Sequence, residues 1–556
     1  MGAQHHEDLM ASQPKITRVE SFQTHPSRYR HWNLSIDGPV ATLALDIDEG
    51  NGLRPDDYEL KQNSYDLGVD IELADAVERI RFEHPGVRSV VLTSNQDRIF
   101  CAGANIKMLA TSTHGFKVNF CRYTNETRCG LEDASARSGI RFLAACNGTA
   151  AGGGYELALA ADEIILIDDG SSVVSLPEVP LLGVLPGTGG LTRMVDKRGV
   201  RRDVADVFCT KAEGFRARDA VKHRIIDGSF PRSKWEAGVK ATAQKLAESG
   251  SVRTGPGIEL TEITRPYKWV TVEHSDDQRV ATLTIRSPDA APPADTDALR
   301  SEGDSTWSIA AFRELEDALL HLRFTHDLVG LILLKTRGDG ASVIAHEEAL
   351  QSIAADGDWL AREVQLLQAR ILRRLDNTAK SMFAIIDPGS CFAGILFEMT
   401  LAADRSYMLE DEDGEVTVQI TASSAGRFPM STGITRLGAR FVGTPDDIGA
   451  ALATDGPLDA PTALDLGLVT LAPDDIDWDD EIRIAIEERI SLSPDALTGM
   501  EQNLRFVGAE TCDSKIFGRL SAWQNWIFQR PNAVGDEGAL TLYGHPTRPR
   551  FDWRRT

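Results

Sequence analysis

The stretch "CNGTAAGGGYELALAADEI", residues 146–164, sets three consecutive glycines against a glutamate and then an apolar, alanine-rich run. Glycine is a poor helix former and a carboxylate is costly to bury, so their meeting at the mouth of a helix needs a reason. The second half of the chain carries the same frame with two of the three glycines filled, in "DPGSCFAGILFEMTLAADRSY", residues 387–407. Consecutive glycines at a helix start leave main-chain N–H groups uncovered, and the helix end adds about half a positive charge there. A developing oxyanion would be stabilised at such a point. A tight strand-to-helix turn is the plainer reading of the same residues.

Working outward, the repeat proves general. "VATLALDI" at 40 returns as "VATLTIRS" at 280, "IRFEHPGVRSVVL" at 80 as "LRFTHDLVGLILL" at 322, and "LPGTGGLTRM" at 185 as "FPMSTGITRL" at 428, with offsets of 240 to 243. Steady offsets mean two copies of one domain. Within each copy, β-branched runs such as "SVVLTS" (89–94) alternate with helical-period segments such as "IELADAVERIRF" (71–82), the pattern of an α/β architecture. The Gly-, Ser- and Pro-rich "SGSVRTGPGIEL" (249–260) reads as a linker, and after 475 the pattern turns helical and ceases to repeat. The expected organisation is an N-terminal arm (1–25), a first domain (26–260), a degenerate copy (261–475) and a C-terminal helical region (476–556).

Composition narrows the function. With 42% hydrophobic and 26% charged residues the 556-residue chain is globular in type, and the net charge of −24 disfavours nucleic acid or an anionic membrane as a partner. No apolar run approaches the roughly 18 residues of a membrane span, and the N-terminus has no signal pattern, so a cytoplasmic protein is expected. Seven cysteines (101, 121, 129, 146, 209, 391, 512) without a CxxC pair argue against a disulfide framework and against a zinc site.

A second small-residue turn, "FCAGANIKML" (100–109), precedes the glycine stretch, and "LPEVPLLGVLPGTGGLTRM" (176–194) follows it. Together the three segments resemble the signatures of the enoyl-CoA hydratase/isomerase, or crotonase, superfamily. The resemblance implies two tandem crotonase-like (ββα superhelix) domains and an acyl-CoA thioester whose carbonyl oxygen lies between two backbone N–H groups. Those groups would fall on Ala102 and Gly153. It also implies an acid/base pair at Glu156 and Glu178; the bland alternatives are a first-turn helix carboxylate and a surface residue after Pro177. In the second copy Ile344, Ala345, Ile395 and Leu396 stand at the places of Ala102, Gly103, Gly153 and Gly154, and Thr421 at that of Glu178, which implies a silent site.

The long loop "DEGNGLRPDDYELKQNSYDLGVD" (48–70) and the helical segment "FKVNFCRYTNETRCGLED" (116–133) resemble the benzoyl-CoA-dihydrodiol lyase family of ring-opening crotonases. That likeness implies addition of two waters to 2,3-epoxy-2,3-dihydrobenzoyl-CoA, giving 3,4-didehydroadipyl-CoA semialdehyde and formate, in aerobic benzoate degradation. It requires no metal and no cofactor beyond the coenzyme A of the substrate. Cys101 and Glu126 are further catalytic candidates, against a small buried thiol and a solvated helix carboxylate. Ala104, Lys107 and Gly152 are the candidate coenzyme A contacts, with Arg193 or Lys107 for its phosphates. A homo-oligomer, with a dimer favoured, is expected. An ordinary enoyl-CoA hydratase or isomerase and a non-catalytic acyl-CoA-binding scaffold remain as alternatives.

Overall fold

The computed structural model describes residues 14–275 and 277–556, so most of the expected N-terminal arm lies outside the described residues. The chain divides into two units, one ending at Glu262 and the other spanning Ile263–Thr556. In the first, a six-stranded sheet runs in the order Trp32–Asp37, Val40–Leu45, Ser89–Ser94, Arg141–Cys146, Glu163–Asp168, Gly228–Pro231. Only the first pair is antiparallel; Gly38, at φ +57°, supplies the left-handed position of its two-residue turn. The inner parallel strands are apolar on both faces, as a sheet covered on both sides requires.

Three of these strands lead directly into a shorter strand of a second sheet: Ser89–Ser94 into Arg98–Cys101, Arg141–Cys146 into Gly148–Ala151, and Glu163–Asp168 into Val173–Ser175. A helix follows each, so the chain winds as a strand–strand–helix spiral. The "CNG" at 146–148 makes one crossing. Asn147 Nδ2 donates to Ser94 O (2.8 Å) and Gln96 O (3.2 Å), and a methyl group on Gly148 would lie 2.0 Å from the Arg98 carbonyl carbon. Trp235–Ser249 covers the sheet, packing Ala243 and Leu246 on Val91, Leu143 and Ile165.

The second unit holds a five-stranded sheet, Val270–Ser275, Val280–Arg286, Leu331–Arg337, Ser381–Ile386 and Arg405–Met408, again with only the first pair antiparallel. Among its described residues there is no second sheet; one parallel bridge, Ala393 to Gln419, stands in that place. After Leu331–Arg337 the chain enters the helix Gly340–Ala355, capped by the Asp339 carboxylate on the Ala341 and Ser342 amides. Ile344 and Ala345 therefore sit inside a helix, and no turn corresponding to 101–104 exists; the expected difference of side-chain bulk is a difference of backbone. The helix Trp478–Ser491 packs Ala485 and Ile482 on Leu331, Phe383 and Tyr407, and Trp478 follows Trp235 by 243 residues. The segment after 475 belongs to the second unit, in which the buried Glu501 holds Arg489 (2.8 Å) and Arg555 (2.6 Å). Among the described residues no helix is long and apolar enough to cross a membrane.

Candidate active site

The two small-residue turns of the first unit meet. Gly152 (φ +53°) ends the strand Gly148–Ala151 and opens the helix Gly153–Ala160, while Gly103 (φ +91°) lies so close that a methyl group on it would come 2.8 Å from Gly153 N. The glycine trio is explained by these approaches more than by open space. A methyl on Gly154 would lie 2.3 Å from Cys101 O, and one on Gly153 would lie 2.1 Å from the Tyr65 hydroxyl oxygen.

The amides on the first turn are assigned by their partners. Ala102 N–H donates to Gln62 O (3.2 Å), so the donor expected there is already committed. Gln62 and Asn63 reach it from two successive left-handed conformations, φ +58° and +51°, inside the long loop. Ser64–Tyr65 pairs in parallel with Gly103–Ala104, and Asn105 N–H donates to Tyr65 O (2.8 Å). Alternate residues of a parallel ladder bond to the same neighbour, so the Ala104 N–H is directed away from that strand, beside Gly103 and the Gly153 amide. Ala104 replaces Ala102 as the donor this turn can offer.

The two glutamates lie in different surroundings. Glu156, 2% exposed, accepts from Thr188 N (2.9 Å), Gly190 N (2.8 Å) and the Thr188 hydroxyl. Three donors lock its carboxylate and leave one lone-pair site on Oε2. Glu178 follows Pro177 at the start of Glu178–Leu182; it is 8% exposed, and its Oε2 is buried without a hydrogen-bond partner. Its Oε1 would stand 2.9 Å from a methyl on Gly152. Burial pushes the Glu178 carboxyl up to about 7; the helix-start N–H of its own residue opposes the rise and the Glu156 charge adds to it. Glu178 thus changes protonation near neutrality.

Other expectations need correction. Cys101 is fully buried, donates to Asn63 O (3.0 Å) and has its thiol pushed up to about 12 by burial, which makes it a packing residue rather than a nucleophile. The Gly152 N–H is taken by Ser175 O (2.9 Å), so this glycine has no main-chain donor to offer coenzyme A, and Glu178 packs against it. Arg193 is buried in a bidentate pair with Glu132 (2.9 and 3.0 Å) and donates to Thr188 O (3.0 Å); it braces the loop that holds Glu156 and is unavailable to phosphates. Lys107 is exposed at the second position of Ile106–Thr111. Glu126 is half-buried on His114–Asp133, next to Asn125, whose Nδ2 donates to Gly187 O (3.1 Å). Sequence reasoning missed Thr188, although it lies in the quoted "LPGTGG", and Tyr65, whose loop stood out by length alone.

Comparison with known proteins follows the same lines. The enoyl-CoA hydratase/isomerase family model matches residues 58–254. The benzoyl-CoA-dihydrodiol lyase of Aromatoleum evansii is 52% identical over 555 residues, covering 98% of this chain and 99% of that one. The chain belongs to the benzoyl-CoA-dihydrodiol lyase family. Its first unit contains the family's crotonase-fold α/β domain. The fatty acid oxidation complex subunit alpha of Shewanella loihica is 36% identical over 149 residues, 27% of this chain and 20% of that protein. A solved enoyl-CoA hydratase from Bacillus anthracis is 26% identical, covers 40% of this chain and 78% of its own, and has a TM-score of 0.34.

Proposed function

We infer that the first unit opens the ring of 2,3-epoxy-2,3-dihydrobenzoyl-CoA, adding two waters to give 3,4-didehydroadipyl-CoA semialdehyde and formate. The thioester carbonyl oxygen lies between the Gly153 and Ala104 N–H groups, where negative charge gathers as an enolate forms. Glu178, which titrates near neutrality in a dry setting, takes a proton from water or returns one to carbon. Glu156 orients a water through its remaining lone pair. The thioester carbonyl then acts as the electron sink for carbon–carbon cleavage: the bonding pair is held as its enolate at the two amides until a proton returns to carbon. No cofactor is needed beyond the coenzyme A of the substrate, and the exposed Lys107 is the cation proposed to meet a phosphate. The observation that carries the reading is likeness along the whole chain, 52% identity across 98% of it, to a benzoyl-CoA-dihydrodiol lyase.

The second unit reads as a degenerate crotonase-like repeat extending through the helix Trp478–Ser491 rather than stopping near 475. Its counterpart of the oxyanion turn is filled from within. A methyl on Gly394 would lie 2.7 Å from Glu347 Oε2, and the Thr421 hydroxyl donates to Glu347 Oε1 (2.7 Å). Glu398, the counterpart of Glu156, is bound to Arg436 (2.9 Å), itself paired with Asp376 (2.6 Å). An internal carboxylate and a neutralised glutamate leave no place for a thioester, so this unit is silent. A homo-oligomer, most simply a dimer in the cytoplasm, would cover the exposed Leu181, Val184 and Leu185.

The test offers epoxybenzoyl-CoA and crotonyl-CoA side by side and measures formate. Formate from the former supports the lyase. Hydration of crotonyl-CoA without formate from either would make the protein an ordinary hydratase, and binding without turnover a scaffold.

A further inference from the structure

Two polar atoms at the Gly152–Gly153 turn are buried without partners, Glu178 Oε2 and the Tyr65 hydroxyl oxygen. Buried polar atoms in folded proteins are mostly paired, and an exception calls for an explanation, of which a catalytic role is one. Glu178 has a role in the reaction described above; Tyr65 has none.

Tyr65 touches both halves of the oxyanion site. Its main chain is in register with Ala104 in the parallel pair Ser64–Tyr65 and Gly103–Ala104, and its hydroxyl lies over Gly153. The side chain is 3% exposed and braced on two sides, with the Phe120 ring centroid 6.0 Å away and the Arg128 guanidinium 5.2 Å from the Tyr65 centroid. Arg128 is held by Asp70 (2.6 Å), and Asp70 by the Thr124 hydroxyl (2.5 Å). Such a supported hydroxyl keeps one position. Burial holds the phenol far above its ordinary pKa, with Arg128 opposing and Asp70, Glu156 and Cys101 adding to the rise, so it stays a neutral donor throughout the working pH range. A purely structural tyrosine at such a depth would have its hydroxyl paired, as Tyr155 does with Ile225 O (2.7 Å).

We propose that the Tyr65 hydroxyl is a catalytic group, a third donor to the thioester carbonyl oxygen alongside the Gly153 and Ala104 amides. This rests on the oxyanion reading of the first unit. An oxygen entering between the two amides meets a buried O–H that has no partner in the protein, and the bond strengthens as the carbonyl gains enolate charge. The long loop thereby contributes directly to the chemistry.

The test uses the full chain with benzoyl-CoA labelled with carbon-13 at the thioester carbonyl, a ligand that binds without reacting, read by infrared difference spectroscopy. The carbonyl band of wild type is expected well below that of free thioester. In Tyr65→Phe the band moves back towards the free value, and kcat on epoxybenzoyl-CoA falls about 10- to 100-fold. Thermal stability is unchanged or higher, because an orphaned hydroxyl has gone. Replacing Tyr65 by 3-fluorotyrosine, a stronger donor of nearly the same size, shifts the band the other way and serves if the Phe variant folds poorly. Identical bands in wild type and both variants, or turnover by Tyr65→Phe within about twofold of wild type, overturn the proposal while the oxyanion site stands. A wild-type band that does not move on binding overturns the oxyanion reading itself, and the proposal with it.

Discussion

Replacing Glu178 by Gln gives the most quantitative prediction. The folded protein raises this carboxyl from its ordinary 4.5 to about 7, so the folded state binds the proton more tightly than the unfolded chain does. The corresponding stabilisation is complete below about 4.5 and is lost as the pH rises through about 7. At roughly 1.4 kcal/mol per tenfold change in proton affinity the displacement amounts to about 3 kcal/mol, which residual solvent contact reduces to about 2 kcal/mol. Glu178→Gln cannot lose a proton. Urea unfolding of wild type and variant at pH 5 and pH 8 should therefore show the variant gaining about 2 kcal/mol relative to wild type between the two pH values. The same substitution should lower kcat about 10²- to 10⁴-fold and abolish the inflection near pH 7 in the kcat/KM profile. Parallel stability curves for the two proteins would refute the reasoning, because they would mean that Glu178 ionises as freely folded as unfolded.

The other predictions concern groups whose roles the structure separates. Cys101→Ala should keep turnover within about threefold of wild type, and the folded wild-type thiol should resist iodoacetamide, since a buried thiol pushed up to about 12 is not a nucleophile. Thr188→Val removes the hydroxyl that Glu156 Oε2 accepts from; denaturation should show a loss of about 1–3 kcal/mol, and steady-state kinetics a fall in kcat of about tenfold or more as the carboxylate loses its orientation. Glu398→Gln weakens one of the two carboxylate partners of the buried Arg436 and should cost about 2 kcal/mol of stability, with kcat per folded molecule unchanged if the second unit is silent.

Much of this is legible in the sequence. The repeated frames at 40 and 280, 80 and 322, and 156 and 398 all lie on or beside matching sheet strands, because a strand's apolar pattern is local and survives duplication. Glu156 and Glu178 are picked out by the family resemblance rather than by spacing, and both lie beside the glycine turn. What escaped depended on the path of loops. Ala102 is lost as a donor because Gln62 and Asn63 adopt left-handed conformations forty residues earlier in the chain, and nothing local to "FCAGAN" announces it. Arg193 looked like a phosphate ligand because its burial comes from Glu132 on a distant helix. The second unit's helix Gly340–Ala355 replaces a strand and a turn, so residue-by-residue matching of 102 with 344 compared different backbone states. The pair Trp235 and Trp478, 243 residues apart, was visible in the sequence and would have extended the repeat past 475.

The structure of the protein bound to benzoyl-CoA tests the account most directly. The thioester carbonyl oxygen should lie within hydrogen-bond distance of both Gly153 N and Ala104 N, with Glu178 facing the ring. A carbonyl oxygen held by Ala102 N in place of Ala104 N, or a ligand seated in the second unit, would contradict it.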